Sequence, residues 1–289
     1  MRLILLLITL SILISSTSYA KVNVYVSIIP QKFFVQAIGK ERVNINVMVM
    51  PGASPATYEP RPKQMIDLSK TDIYFAIGSP FEKSWVPKFE SINNNLKVIH
   101  TDKGIVKRIV ERHVHHEEDE HIHEGETTTT KDPHIWLDPM LVIHQMQHVA
   151  NALCEADADG CNYYNSNLSK FTKDTIALDR KIKEIVSKSD GKYFMVFHPS
   201  WGYFADRYGL HQIPVELEGK EPKPADLKEF VELTRKLKLK AIFIQPQFSK
   251  KAAELIAKET GANVVAVDPL AENWRANLLY VAKLISTSF

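Results

Sequence analysis

The sequence predicts an α/β protein built from two similar halves on either side of one long helix. Extended apolar runs alternate with amphipathic runs in the first half of the chain, and the same alternation returns in the second half. This alternation is typical of mostly parallel sheets whose strands are connected by crossover helices. Between the halves, apolar residues recur in steps of three and four, which indicates a single long helix.

In the first half, four apolar segments predict strands and four amphipathic segments predict helices. The strands are expected at 22–28, 43–49, 72–77 and 96–100, and the helices near 31–38, 62–69, 81–89 and 141–153. Pro62 fits the first turn of its helix, because the backbone N–H at that position has no partner within the helix. These elements make residues 21–155 the predicted N-terminal α/β lobe.

The second half repeats the pattern and makes residues 191–289 the predicted C-terminal α/β lobe. Its strands are expected at 193–197, 213–217, 241–244 and 263–267, and its helices near 225–237, 250–259 and 273–285. Ser249 is a suitable N-cap for the second of these helices, and Gly261 is a suitable C-terminal stop.

Residues 162–190 are predicted to form a linker helix between the lobes. The apolar positions of this segment are Tyr164, Leu168, Phe171, Leu178, Ile182 and Ile185. Thr175 occupies the one position of this helical row that is not apolar. No Gly or Pro interrupts the segment before Gly191. A helix of this length is either a stiff strut between the two halves or a helix packed on one sheet, and the pattern favours neither.

The first 20 residues are predicted to be a cleaved signal peptide. Arg2 supplies a positive start, residues 3–14 are almost wholly apolar, and Ser18 and Ala20 place small residues at a cleavage site. The apolar run is short for a membrane span, although an uncleaved anchor is the alternative. We therefore expect the mature protein in a bacterial periplasm.

The near-neutral charge of the chain argues against nucleic acid as a partner. The formal charge of the full chain is only +2, and the sequence holds no strongly basic segment. A nucleic-acid-binding protein would be expected to carry a basic patch, so nucleic acid is not a predicted partner.

Cys154 and Cys161 are the two cysteines of the chain. In an oxidising compartment, two close cysteines predict a disulfide bond. A zinc-binding pair is the competing interpretation, but the spacing is loose for zinc and no second pair lies nearby.

A polar segment at 113–131 carries five of the 11 histidines of the chain. They are His113, His115, His116, His121 and His123, interleaved with Glu and Asp residues. Imidazole and carboxylate groups together suit a borderline divalent metal such as zinc. The segment is too polar to form a core, so a solvated loop without a ligand is the alternative.

Three further residues follow extended segments and are candidate metal ligands. His134 lies in the segment Asp-Pro-His-Ile-Trp-Leu-Asp-Pro, His198 follows the strand predicted at 193–197, and Asp268 follows the strand predicted at 263–267. Ligands of open α/β sheets gather at the carboxyl ends of strands. Two imidazoles and one carboxylate suit Zn²⁺, and also Mn²⁺. A buried polar histidine, or an Asp-Pro turn, is the alternative at each position.

Another histidine pair, His144 and His148, is spaced four residues apart on a predicted helix. This spacing places both rings on one face, where they could bind a metal together or could be ordinary surface residues.

Five segments resemble, in order, the metal-binding solute receptors of bacterial ABC importers, most closely their zinc branch. They are PGASPATYEP at 51–60, DPHIWLDP at 132–139, HPSWGYF at 198–204, QPQF at 245–248 and VDPL at 267–270. The resemblance covers nearly all of the predicted mature chain, and the acidic, histidine-rich insertion resembles that of the zinc branch. It implies two α/β lobes joined by a long rigid helix, with metal in the cleft. His134, His198 and Asp268 fall on positions where the family places ligands.

One position departs from this family pattern. The family usually has histidine at the position of Ala56, and a methyl group cannot bind metal. Water or a small anion, a histidine of the 113–131 segment, or Glu59 could complete the coordination, although Glu59 is out of register. Loss of tight metal binding is the remaining alternative.

The leading hypothesis is a monomeric periplasmic receptor that captures zinc, with manganese as a possible alternative. It would deliver the ion to an ABC-importer permease in the inner membrane. The alternatives are a secreted zinc-dependent hydrolase and a metal-buffering adhesin that acts through its histidine-rich segment. No general base stands beside the proposed ligands, so we do not expect an enzyme.

Overall fold

The computed structural model describes residues 20–110, 130–216 and 220–288. Nearly all of the predicted signal peptide lies outside these residues, as do the histidine-rich stretch and its five candidate ligands. Within the described part of the chain, no helix has both the length and the apolarity that crossing a membrane requires.

The N-terminal lobe contains a four-stranded parallel sheet in the order β2-β1-β3-β4. The strands are β1 (Val22–Val26), β2 (Val43–Val47), β3 (Ile73–Ala76) and β4 (Lys97–His100), and the helices are α1 (Ile29–Gly39), α2 (Pro62–Leu68), α3 (Glu82–Ile92) and α4 (Pro139–Ala156). Pro62 begins α2, as expected. All eight elements predicted for this half are therefore present.

The C-terminal lobe repeats this topology with the strand order β6-β5-β7-β8, again all parallel. Its strands are β5 (Tyr193–Val196), β6 (His211–Pro214), β7 (Ala241–Ile244) and β8 (Asn263–Ala266), and its helices are α6 (Gly202–Tyr208), α7 (Pro224–Lys236), α8 (Lys251–Thr260) and α9 (Trp274–Ser286). In both lobes the strand order reverses beside the first strand, and the ends of the strands flanking such a point commonly form a binding site.

Three features of this lobe differ from the sequence prediction. The N-cap of α8 is Lys250 instead of Ser249, because the helix begins one residue later than expected. The strand expected at 213–217 is displaced, since β6 begins at His211 and its paired register ends at Pro214, although Val215 N and Glu216 N still donate to Val196 O and Phe197 O at 2.8 and 2.9 Å. The short helix α6 was not predicted, since its seven residues are too few to show a clear helical period.

Helix α5 (Cys161–Val186) joins the two lobes. Its 26 residues span about 39 Å at 1.5 Å per residue. It packs on α1 and α4 of the first lobe and on α9 of the second, so it is a strut rather than a helix confined to one sheet. Its buried positions include Thr175, which the sequence pattern placed in the apolar row. The helix ends at Val186, four residues before the predicted limit of the linker.

A disulfide bond between Cys154 and Cys161 closes the junction of α4 and α5, as predicted. The same junction holds an ion pair in which Arg42 Nε and Nη2 donate to the two oxygens of Asp157 at 2.7 and 2.8 Å. Tyr164 also donates to Asp157, at 2.5 Å. This corner is therefore fixed by one covalent and several polar contacts.

Candidate metal centre

His134 lies directly after a short antiparallel neck that brings residues 108–110 and 130–132 together. Val110 N donates to Thr130 O and Asp132 N donates to Arg108 O, both at 2.9 Å. The buried Asp132 carboxylate then accepts hydrogen bonds from both His134 N and His134 Nδ1, at 2.9 and 2.7 Å. One carboxylate oxygen therefore fixes both the backbone and the ring of His134.

His198 lies two residues after β5, at the point of its sheet where the strand order reverses. Its ring Nδ1 contacts Glu216 Oε2 at 2.9 Å, and Glu216 is buried on the neighbouring strand end. The side chain of Gln245 accepts from His198 N at 3.0 Å and donates to His198 O at 2.7 Å. The ring and the backbone of His198 are therefore both held by buried polar groups.

The two histidine rings meet between the lobes, with their centroids 5.2 Å apart. Trp136 lies against His134, at a centroid distance of 5.1 Å, and Phe248 stacks on His198 at 4.7 Å. These aromatic walls limit the rotation of both rings. The rings border a cavity of about 350 Å³, whose other lining residues are Ser54, Pro55, Ala56, Ser79, Pro80, Val110, Thr130, Pro133, Pro199 and Glu216, together with Trp136.

The buried carboxylates determine which ring nitrogen is available. With Nδ1–H donated to Asp132 or Glu216, each neutral imidazole directs the lone pair of Nε2 elsewhere. Burial lowers the pKa of His134 below its ordinary value of 6.5, and the Asp132 charge offsets this only in part. Burial would raise the pKa of Asp132, but His134 and Arg108 together hold it below its ordinary value. A neutral histidine beside an ionised carboxylate is the arrangement that metal-binding histidines commonly have.

Asp268 follows β8 in the same lobe as His198. Its Oδ1 accepts from Leu270 N at 2.9 Å and from Gln247 Nε2 at 3.2 Å. Its neighbours Gln247, Pro269 and Leu270 line a small space that His134 and His198 also border. Asp268 itself lines a different cavity, between α2 and the loop before α9.

The structure brings together two of the three predicted cleft ligands. Across residues 20–110, 130–216 and 220–288, no three His, Cys, Asp or Glu residues form a group that could hold a metal ion. The His134–His198 pair is therefore the preformed part of the candidate centre, and Asp268 stays a predicted ligand. Ala56 and Glu59 are both exposed, but of the two it is Ala56 that lines the main cavity, as its family position suggests.

Sequence reasoning missed the two carboxylates behind the histidines. Asp132 lies two residues before His134, within the same Asp-Pro-His segment. Glu216 was placed inside a strand, although it lies two residues beyond the end of β6, just as His198 lies two residues beyond β5. The paired register of β5 and β6 explains why these two side chains meet.

Arg108 connects the neck to the C-terminal lobe. It donates to Asp132 Oδ2 at 3.2 Å and to Asp206 Oδ2, on α6, at 2.9 Å. Tyr203, also on α6, donates to Asp132 O at 2.9 Å. Gly202 permits this contact, because a Cβ at that position would lie 1.4 Å from Arg108 Nη1. The residue that orients His134 is therefore held from both lobes.

Two α/β lobes joined by a long helix, with a pair of oriented histidines between them, define a solute-binding protein whose cleft is suited to a metal ion. The family model described as "Zinc-uptake complex component A periplasmic", ZnuA, matches residues 24–286. The chain belongs to this family of periplasmic, solute-binding components of zinc uptake.

Individual relatives agree with this assignment. The high-affinity zinc uptake system protein ZnuA of Bacillus subtilis (strain 168) is 26% identical over 254 residues, which cover 86% of this chain and 79% of that protein. A crystal structure of ZnuA is 37% identical, with a TM-score of 0.85, and the match covers 93% of this chain and 99% of that one. The laminin binding protein Lmb of Streptococcus agalactiae is similar in fold, with 22% identity, a TM-score of 0.77 and coverage of 92% and 99%.

Proposed function

We propose that the cleft captures one Zn²⁺ ion through Nε2 of His134 and Nε2 of His198. The supporting observation is that one imidazole from each side of the cleft has its Nδ1 fixed by a buried carboxylate. Such carboxylate–histidine pairs set the tautomer and increase the basicity of the nitrogen that binds the metal. Two imidazoles favour zinc, although manganese is compatible with a mixed nitrogen and oxygen site.

Asp268 is proposed as the third ligand. Both of its hydrogen bonds fall on Oδ1, so Oδ2 is the oxygen we assign to the metal. Asp268 follows β8 as His198 follows β5, so both residues are at the carboxyl end of the same parallel sheet. A water molecule or a small anion would occupy the fourth position, on the side of the cavity where Ala56 lies.

The cargo would pass to an ABC-importer permease in the inner membrane, after export of the chain to the periplasm as a monomer. A site divided between two lobes suits this task, since separation of the lobes removes ligands from the ion and permits release. Proton competition also favours release, because protonated imidazole does not bind metal.

Zinc titration of the mature chain against a competing chelator tests the proposal. Replacing His134 or His198 with Ala is expected to weaken the tightest zinc site at least about tenfold, since each change removes one ligand bond. His211→Ala is the matched control, because this histidine is exposed and stacks on Tyr193. Equal affinity in the His198→Ala variant and the control would reject the cleft as the zinc site.

Asp268→Asn tests the third ligand separately. It keeps an oxygen that can accept from Leu270 N but removes the carboxylate charge. We expect weaker zinc binding with an unchanged melting temperature of the metal-free protein. Unchanged zinc affinity would remove Asp268 from the ligand set without affecting the histidine pair.

A further inference from the structure

A second pair of histidines lies outside the cleft, on the surface of α4. His144 and His148 are one helical turn apart, and their ring centroids are 5.1 Å from each other at an interplanar angle of 78°. Both Nε2 atoms point at one backbone oxygen, that of Lys103, at 2.8 and 3.1 Å. Three potential metal-binding atoms therefore converge on one small region of the surface.

The turn after β4 is shaped so that it can approach this helix face. Gly104 follows the shared carbonyl and has φ +86°, a left-handed conformation that favours glycine. A Cβ at Gly104 would lie only 3.2 Å from His144 Nε2, which is closer than ordinary contact. Glycine at this position therefore permits the close placement of the Lys103 carbonyl and the two rings.

In the metal-free protein the two contacts are hydrogen bonds to Lys103 O, and their lengths are also those between neighbouring ligands of a metal ion. Two atoms each about 2.1 Å from one ion and joined to it by bonds at right angles lie about 3.0 Å apart. The two measured nitrogen–oxygen distances, 2.8 and 3.1 Å, are on either side of this value. Tetragonal sites with nitrogen and oxygen ligands are those that Cu²⁺ and Ni²⁺ prefer.

We propose that His144 Nε2, His148 Nε2 and Lys103 O form a surface site for a divalent ion of the copper and nickel class. Water molecules complete the coordination on the solvent side, where His144 is exposed. Binding requires each neutral ring to carry its single proton on Nδ1 instead of Nε2, so no net proton is lost. The site shares no residue with the cleft and does not depend on zinc binding there.

The turn carries the positive charge of Lys103 itself, but this side chain is exposed and can extend into solvent away from the carbonyl. Lys107 in the same loop forms an ion pair with Asp102 at 2.6 Å, so its charge is balanced. The Asp102 carboxylate also lies 3.9 Å from His100 Nδ1. The charge of Asp102 is therefore offset by Lys107 and supplies no additional attraction for a cation.

The test uses the mature full-length chain with one equivalent of zinc already added, followed by Ni²⁺. Histidine modification by diethyl pyrocarbonate, mapped by peptide mass spectrometry, reports each histidine separately, including those at 113–123. We expect Ni²⁺ to protect His144 and His148 together. His148→Ala should abolish the protection of His144, whereas His211→Ala should leave it unchanged.

Crystals soaked in nickel give the second measurement. An anomalous peak at about 2.0–2.2 Å from both Nε2 atoms would support the site. Ni²⁺ protection confined to histidines other than this pair, or protection of His144 that survives His148→Ala, would overturn the proposal. A protein that binds nickel at this pair but no zinc in the cleft would reject the proposed function and leave this inference standing.

Discussion

Glu216 and Asp132 each direct a ring nitrogen of a site histidine toward the cavity, although neither needs to touch the metal. Replacing Glu216 with Gln keeps a possible acceptor near His198 Nδ1 but removes its negative charge. We expect zinc affinity to fall by about 10- to 100-fold, the range found for such supporting groups. The measurement is a chelator competition titration.

Glu254→Gln, at an exposed position on α8, is the matched control for loss of one negative charge. Glu216→Ala should weaken binding further than Glu216→Gln, because it also removes the acceptor. Identical zinc affinities for the wild type and both Glu216 variants would show that His198 needs no orienting partner.

The lowered pKa of His134 predicts how the metal-free protein responds to acid. Burial holds the folded-state pKa below 6.5, so the unfolded chain takes up this proton first as the pH falls. The stabilisation is fully present above about pH 6.5 and is lost as the pH falls toward the folded-state pKa. Urea unfolding of the metal-free protein between about pH 7.5 and pH 5 measures this loss.

In His134→Gln the part of the pH dependence that belongs to His134 should vanish, while His211→Gln should retain it. The same burial keeps the Nε2 atom of His134 free of a proton at mildly acidic pH. An unfolding free energy with the same pH slope in all three proteins would contradict this explanation.

Ala56 offers a test in the opposite direction, by adding a ligand. It lines the cavity beside the histidine pair and is exposed enough to accept a larger side chain. Ala56→His is expected to tighten zinc binding at least about tenfold, because an imidazole replaces weakly bound water. Ala56→Gln, similar in bulk but a poorer ligand, should not tighten it, and equal gains from both variants would show that the effect is not ligation.

Among single residues, the sequence predicted those whose side chains are typical metal ligands. His198 was recognisable because a histidine directly after an extended apolar segment is unusual, and His134 because its Asp-Pro-His-Ile-Trp segment resembles that of the family. The Glu216–His198 contact was not recognisable, because it depends on the register between β5 and β6 and on where β6 ends. Arg108 was missed for a similar reason, since its partners Asp132 and Asp206 are far apart in sequence.

Among the elements, strands and long helices were predictable while short elements and exact ends were not. The buried face of α5 follows the helical period closely, including the polar Thr175, so composition and spacing were sufficient. Strand β6 was displaced in the prediction because its first two residues, His211 and Gln212, are polar, so the apolar run marks only its second half.

The junction between α4 and α5 allows a stability prediction. The bond between Cys154 and Cys161 closes a loop with a sequence separation of only 7, so it restricts the unfolded chain modestly. Replacing both cysteines with Ala is expected to lower the free energy of unfolding by about 2 to 3 kcal/mol. Because Arg42 and Tyr164 still hold Asp157, the fold itself should persist.

Urea unfolding with and without reductant measures this effect. Reduced wild-type protein should match the double variant, and reductant should leave the double variant unchanged. A variant that unfolds completely would show that the polar contacts cannot hold the corner alone.

For the whole molecule, the alternation of elements predicted the two sheets, but the arrangement of the lobes depended on long-range packing. The pattern of α5 left two arrangements open, and its packing on helices of both lobes decided between them. One apolar core runs from the first sheet through α5 to α9, so the lobes are joined by continuous packing on this side. His198 follows the end of β5 and His134 follows the antiparallel neck, and around both rings polar groups replace this packing.

The histidine-rich segment provides the last prediction, which separates a cleft receptor from a metal buffer. The neck residues Val110 and Thr130 are hydrogen-bonded like the last pair of a hairpin. Residues 111–129 can therefore be replaced by Asn-Gly, a sequence that favours a two-residue hairpin turn. The shortened chain should keep one tight zinc site of unchanged affinity and lose the weaker sites, which zinc titration with a competing chelator measures.

A full-length variant with Gln at positions 113, 115, 116, 121 and 123 is the control, because it removes the imidazoles and keeps the length. Both variants should retain the effect of His198→Ala, since that residue acts in the cleft. If all tight binding disappears with the segment, the metal is held there and the buffer interpretation replaces the receptor. If the tight zinc affinity is retained and only the number of bound zinc ions falls, zinc capture belongs to the cleft and the segment has an accessory role.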